Sequence, residues 1–196
     1  FRLMVRDAEV RVREALAQNL KQSSDVPHEV ALALAKDVDS VAEPILKFSD
    51  VLTDADLVEI IRTQGPVKQV AVAARAHVSE GVSSALVETR DETVVQTLVA
   101  NEGAVISETS LQKVVDDFGK KESIQAAMVG RPKLPVTVAE RLVTMVSEKL
   151  KTDLVKRHEL PAGLASDLLL SSRERAIIGL SSEAEEEDVE VLVRQM

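Results

Sequence analysis

Apolar residues recur along the chain with a period far longer than one helical turn. Residues 51–61 read VLTDADLVEII and residues 105–115 read VISETSLQKVV. In both, an apolar residue precedes Thr or Ser, polar residues follow, then Leu, and an aliphatic pair closes the phrase. Aligned on the junction of an apolar residue with Pro, Ser or Thr, the phrase returns at Val26-Pro27, Leu52-Thr53, Val78-Ser79, Ile106-Ser107, Leu134-Pro135 and Leu160-Pro161. Successive junctions differ by 26, 26, 28, 28 and 26 residues, and periods of this length mark stacked supersecondary units.

Eight and nine residues past each junction stand Leu34-Ala35, Ile60-Ile61, Leu86-Val87, Val114-Val115, Leu142-Val143 and Leu168-Leu169. All are apolar, which predicts a buried seam. Val30, Leu57, Val82, Leu111, Val138 and Leu164 fall four or five residues past the junctions and complete the stripe of an amphipathic helix, here called helix B. The shorter clusters before the junctions, Val12/Leu16/Leu20, Val41/Ile45/Leu46, Val70/Ala73/Ala74, Val94/Leu98/Val99, Ile124/Ala127/Met128 and Leu150/Leu154, predict a preceding helix A. Alternation of the kind that makes strands does not compete. The reading is an all-α, right-handed α-solenoid of stacked helix pairs, HEAT-like, with a period of 26–28 residues over a single domain 1–196.

Helix starts are written into the junctions. Thr53 is expected as an N-cap accepting a backbone N–H, with Leu52 and Leu57 as a hydrophobic staple, and Ile106, Ser107 and Leu111 repeat the arrangement. On that reading Asp should replace Thr53 without loss. Pro27, Pro135 and Pro161 suit a first helical turn. A second box, Thr137-x-x-Glu140, would shift the fifth start by two residues. Gly65-Pro66, Asn101-Glu102-Gly103, Gly119 and Gly130-Arg131-Pro132 fall between helices. The cadence weakens after Leu169, where Glu174–Leu180 continues helically and Glu183–Met196 begins another helix. Because the chain starts at Phe1 and stops inside a helical pattern, it reads as a segment of a longer one.

Composition narrows the function. Aromatic residues are 2% of the chain, with no Trp or Tyr, and the formal net charge is −9. That excludes base-stacking platforms and repels phosphate polymers and anionic lipid. With no Cys there is neither a disulfide framework nor a thiolate site. No apolar run reaches the roughly 18–20 residues of a membrane helix, so the expected location is cytoplasmic.

LTDADLVEII, VSEGVSSALVETRDETVVQTLVANEGAVIS and LPVTVAERLVTMVSEKL resemble the bacterial, mainly alphaproteobacterial, family called domain of unknown function 2336. The resemblance runs from about Asp7 to Leu170. It implies a fold similar to HEAT and leucine-rich-variant solenoids, and it carries no catalytic residues to transfer.

Candidate chemistry is sparse. Asp54 and Asp56 are paired carboxylates, but acidic residues in a first helical turn complement the macrodipole. His77-x-x-Glu80 offers one loose metal-ligand pair, and His28 and His158 read as ordinary histidines. Ser79, Ser83 and Ser84 lie near His77 without a nucleophile elbow, so repeated Ser at cap positions is the simpler account. Gly119-Lys120-Lys121 lacks the spacing of a phosphate loop, and Glu183–Asp188 is an acidic run. No cofactor, metal or catalytic residue is expected. The expected function is a non-enzymatic protein–protein interaction scaffold or regulatory adaptor that binds a protein or peptide, not nucleic acid or membrane. Its surface would include the helix-B residues Glu59, Arg62, Glu88, Lys113, Asp116, Glu140 and Arg141, whose mixed signs favour a partner with patterned charge. The alternatives are a nucleic-acid-acting HEAT-like enzyme or a small-ligand sensor domain.

Overall fold

A computed structural model of the chain describes residues 9–158. The junction at Leu160-Pro161, the positions Leu164 and Leu168-Leu169, the helices expected from Glu174 onward and the acidic run lie outside the described residues. Two compact units divide the chain, residues 1–132 and 133–196.

In the first unit nine helices follow one another: α1 (Val10–Leu20), α2 (His28–Ala35), α3 (Asp39–Phe48), α4 (Asp54–Thr63), α5 (Pro66–Ala73), α6 (Glu80–Glu88), α7 (Glu92–Ala100), α8 (Glu108–Phe118) and α9 (Glu122–Gly130). Odd-numbered helices pack on one another in the order α1, α3, α5, α7, α9, while α4, α6 and α8 pack in a second layer. The odd layer is helix A of every repeat and the even layer helix B. This two-layer stacking defines a helical-repeat solenoid. The described part of the second unit holds α10 (Val136–Val143) and α11 (Glu148–Arg157), which pack together.

The predicted seam is the core. Leu34, Ala35, Ile60, Ile61, Leu86, Val87, Val114, Val115, Leu142 and Val143 are all buried, as are Val30, Leu57, Val82, Leu111 and Val138. On the A side Val41, Ile45, Leu46, Val94, Leu98, Val99, Ile124 and Met128 meet them. The first cluster departs from expectation. Although α1 forms, Val12 is 51% exposed and only Ala17 is buried, because among the described residues α1 has α3 on one side and no helix B of an earlier repeat to cover it.

Capping follows the sequence in most places. Thr53 is the N-cap of α4 and forms a full capping box with Asp56, and the hydroxyls of Ser79 and Ser107 accept the N–H groups of Val82 and Ser110. The helix α10 starts at Val136 with Pro135 as N-cap, so the expected two-residue shift at Thr137 does not occur. Pro27 also stands one place earlier than expected, as the N-cap of α2; its ψ of 135° and that of 141° at Pro135 are extended values outside the helical region. No glycine ends α6: Arg90 takes the left-handed φ of 54° that glycine usually supplies.

The Thr53 box corrects a sequence-based expectation. The Asp56 carboxylate accepts the Thr53 backbone N–H at 2.8 Å and the Thr53 hydroxyl as well. A carboxylate at position 53 would therefore face a carboxylate already in place. Thr53→Ala should cost about 1 kcal/mol, as cap removal does, Thr53→Ser should restore most of it, and Thr53→Asp should be no better than Ala. Urea melts of the three variants check the order; a neutral Thr53→Asp would rule out the reciprocal box.

Candidate interaction surface

Ion pairs link neighbouring repeats in both layers. Arg13 reaches Asp37 at 2.6 Å, His28 Nε2 reaches Asp56 at 2.8 Å, Lys36 reaches Glu59 at 2.7 Å, Lys121 reaches Glu92 at 2.9 Å and Arg90 reaches Asp117 at 3.5 Å. Each pair joins one repeat to the next. The exposed pairs among them, such as Lys36 with Glu59 and Lys121 with Glu92, add little stability.

Asp56 is the most tied of them. Burial opposes its ionisation, but hydrogen bonds from His28, the Thr53 hydroxyl and the Thr53 N–H outweigh that and hold its pKa below the ordinary carboxylate value. A depressed carboxylate stabilises the fold above its unfolded pKa of about 3.9, and that contribution fades as pH falls through the lower folded value. Asp56→Asn should therefore melt below wild type at pH 7, and the gap should narrow as pH drops below about 4. Thermal melts at stepped pH read this directly. A gap of constant size down to the acid limit would mean that the Asp56 charge is not what stabilises.

A second device lies at the C-terminal ends of the A helices. Arg75 is 8% exposed and, among the described residues, meets no carboxylate at ion-pair distance. Its guanidinium donates to the carbonyls of Leu46 and Ser49 at the end of α3. One repeat on, Asn101 Nδ2 donates to the carbonyls of Ala73 and Arg75 at 2.8 and 2.7 Å. In the next repeat Arg131 donates to the carbonyls of Val99, Asn101 and Ala104. Each side chain thus caps the helix A before it, where carbonyls lack intrahelical donors and the macrodipole is negative. Burial pushes the pKa of both arginines down from the ordinary guanidinium value, with distant acids opposing it. Sequence reading missed this clamp. The available signal was an Arg three residues before the junctions at Val78, Leu134 and Leu160.

Gly103 locks the same turn. A Cβ there would stand 1.9 Å from the carbonyl oxygen of Ala76, so only glycine permits the approach that lets Val78 and Ala104 form a parallel bridge.

All seven residues expected at the surface are exposed: Glu59, Arg62, Glu88, Lys113, Asp116, Glu140 and Arg141. Five belong to the B layer of the first unit, and Glu140 and Arg141 lie on α10 of the second. Glu59 and Arg62 line a groove of about 490 Å³ between α4 and α6, together with Asp54, Ala55, Val58, Thr63, Gly81 and Val82. Arg62 also enters an adjoining hollow of about 490 Å³ with Glu88, Ala85, Gln69 and Thr89. Lys113 and Asp116 stand on α8, away from both. Gly81, Ala55 and Val58 escaped the sequence reading because small residues on a helix give no pattern of their own.

The other candidates separate. Asp54 lines the groove while Asp56 serves the cap. His77 and Glu80 are exposed, and no group of three potential metal ligands converges among the described residues. Ser79 is a cap as expected, but Ser83 is not: it is fully buried within α6 and its hydroxyl makes no hydrogen bond. Gly119 ends α8 as its C-cap. No helix among the described residues is long and apolar enough to cross a membrane.

The architecture and surface thus define a helical-repeat protein with an open, grooved B layer. The chain belongs to a family described as uncharacterised proteins conserved in bacteria (DUF2336), whose model matches residues 41–196. That match begins later than the resemblance read from the sequence, and it runs on past Leu170. No curated protein and no solved structure showed significant similarity to the chain.

Proposed function

We propose that the chain is a non-enzymatic protein-interaction scaffold or regulatory adaptor that docks a protein or peptide on its B layer. The observation that carries this is the groove between α4 and α6, lined by Glu59 and Arg62, which adjoins through Arg62 a hollow that Glu88 of α6 and Pro66 and Gln69 of α5 also line. Stacked repeats present such continuous surfaces to extended partners. Nucleic acid is not among its partners in this reading, because phosphate binding needs clustered cations that release counterions.

A photo-crosslinking residue placed in turn at Glu88 and Lys113 on the B layer, and at Gln96 and Ala126 on the A layer, tests the docking face in the source cell. Protein adducts should form from the B positions; adducts confined to the A positions would overturn the reading. The double charge reversal Glu59→Lys with Glu88→Lys should change affinity for the crosslinked partner while shifting stability by no more than about 0.5 kcal/mol per site, as exposed substitutions do. Glu140→Lys, on α10, should show whether the second unit takes part. Titration with duplex DNA at roughly 150 mM salt should give no measurable binding, and saturable binding there would defeat the exclusion of nucleic acid.

A further inference from the structure

The two layers differ in charge. Helices α2, α4, α6 and α8 carry nine acidic side chains and two basic ones, whereas α1, α3, α5, α7 and α9 carry five and four. Of the nine, all but the cap residue Asp56 are exposed. The surplus of negative charge therefore lies on the B layer, which carries the groove between α4 and α6. At the groove itself Asp54 and Glu59 stand with Arg62, Lys36 offsets Glu59 in part, and Glu88 adds a carboxylate at the adjoining hollow.

The groove floor is small and apolar. Ala55 and Val58 come from α4, and Gly81 from α6. Gly81 has no positive φ to explain it, and a Cβ there would meet nothing within 4 Å. A helical glycine loses backbone entropy and packs nothing, so neither the turn nor the core accounts for it. Its place is in the groove wall, which it leaves without a side chain.

We propose that the groove between α4 and α6 docks a Lys- or Arg-bearing amphipathic segment of a partner protein. Its apolar side chains seat over Ala55, Val58 and Gly81, and its cations face the acidic flanks. This rests on the B layer being the docking face and adds the chemistry of what binds there. Complementary charge sets partner choice and encounter rate, and apolar contact in the groove supplies register, as in other helix-in-groove pairs.

Three fluorescein-labelled peptides of about 15 residues, roughly four helical turns, test it by anisotropy with the full 196-residue chain. They share a Leu stripe at helical spacing, and their polar positions are all Lys, all Gln or all Glu. At roughly 150 mM salt the Lys peptide should bind at least about tenfold more tightly than the other two. Gly81→Leu and Ala55→Leu, which fill the groove from its opposite walls, should each weaken it by about tenfold while the melting transition stays in place. Two variants are used so that one which unfolds does not decide the matter.

Glu59→Lys with Glu88→Lys should reverse the preference toward the Glu peptide. Equal or tighter binding of the Gln or Glu peptide to the wild-type chain overturns the basic partner; if that binding is also lost in Gly81→Leu, the B-layer reading still stands. Lys-peptide binding that neither groove-filling variant weakens overturns the groove as its seat. No binding by any peptide, together with crosslinks only from the A layer, overturns both.

Discussion

Leu57→Ala and Leu111→Ala will each lower the unfolding free energy by about 2–5 kcal/mol, the span seen when buried Leu is truncated. Leu57 is 4% exposed and Leu111 is 2% exposed. Both occupy the same slot of the repeat, five residues past their junctions at Leu52 and Ile106. The truncation removes apolar burial and leaves a cavity that rigid neighbours fill only in part. Leu57 also stands at the fourth position of α4, where it is expected to pack on Leu52, itself buried, so its loss should loosen the start of α4 as well as the core. Stability in repeat stacks is a sum of units and nearest-neighbour interfaces, so the damage should be local first. Urea melts should broaden as well as shift, and hydrogen exchange should speed most in the mutated helix and its two layer neighbours. Changes below about 0.5 kcal/mol at both sites, the scale of surface substitutions, would remove that slot from the core.

Arg75→Leu is expected to cost about 2–4 kcal/mol, because it leaves two buried carbonyl acceptors without a donor. The substitution keeps the side chain apolar and similar in reach, so lost volume is not the main effect. What disappears is the fork that bonds Leu46 and Ser49 at once and places a cation at the end of the α3 macrodipole. Arg75→Lys separates these roles. An ammonium keeps the charge but lacks the planar fork, so it should recover only part of the loss. Thermal and urea melts of both variants, with exchange rates of the α3 and α5 amides, measure this. If Arg75→Leu proves as stable as wild type, the clamp does not join the repeats. The prediction reaches beyond one residue, since Asn101 and Arg131 do the same work further along.

Helix identity and the buried seam were legible because they are local. A helix buries one stripe, and a stripe at spacing of three and four residues is visible in a string of letters. Ile60-Ile61 and Val114-Val115 could be placed in the core from one aligned phrase. Thr53, Ser79 and Ser107 could be placed as caps, since a cap bonds within three residues of itself. The exposure of Glu59, Arg62, Glu88, Lys113 and Asp116 followed from the opposite face of the same stripe.

Interactions that span a repeat were not legible. Arg75 meets Leu46 across 29 positions and Asn101 meets Ala73 across 28, and the sequence says nothing about which distant carbonyl a side chain will find. The same distance hid the His28 bond to Asp56. It also hid the groove, whose walls come from α4 and α6 and whose defining residue, Gly81, is the absence of a side chain. The fifth cap was misplaced for a related reason: Thr137 and Glu140 form a valid local signal, but Pro135 already supplies an extended N-cap and α10 starts ahead of them. The sequence by itself determined that this chain is a stack of helix pairs, which faces are inside and which are outside, because burial periodicity is a property of each helix alone. Only the tertiary structure decided how the repeats are clamped and where the outer face opens into a groove, because both depend on groups from different repeats meeting in space.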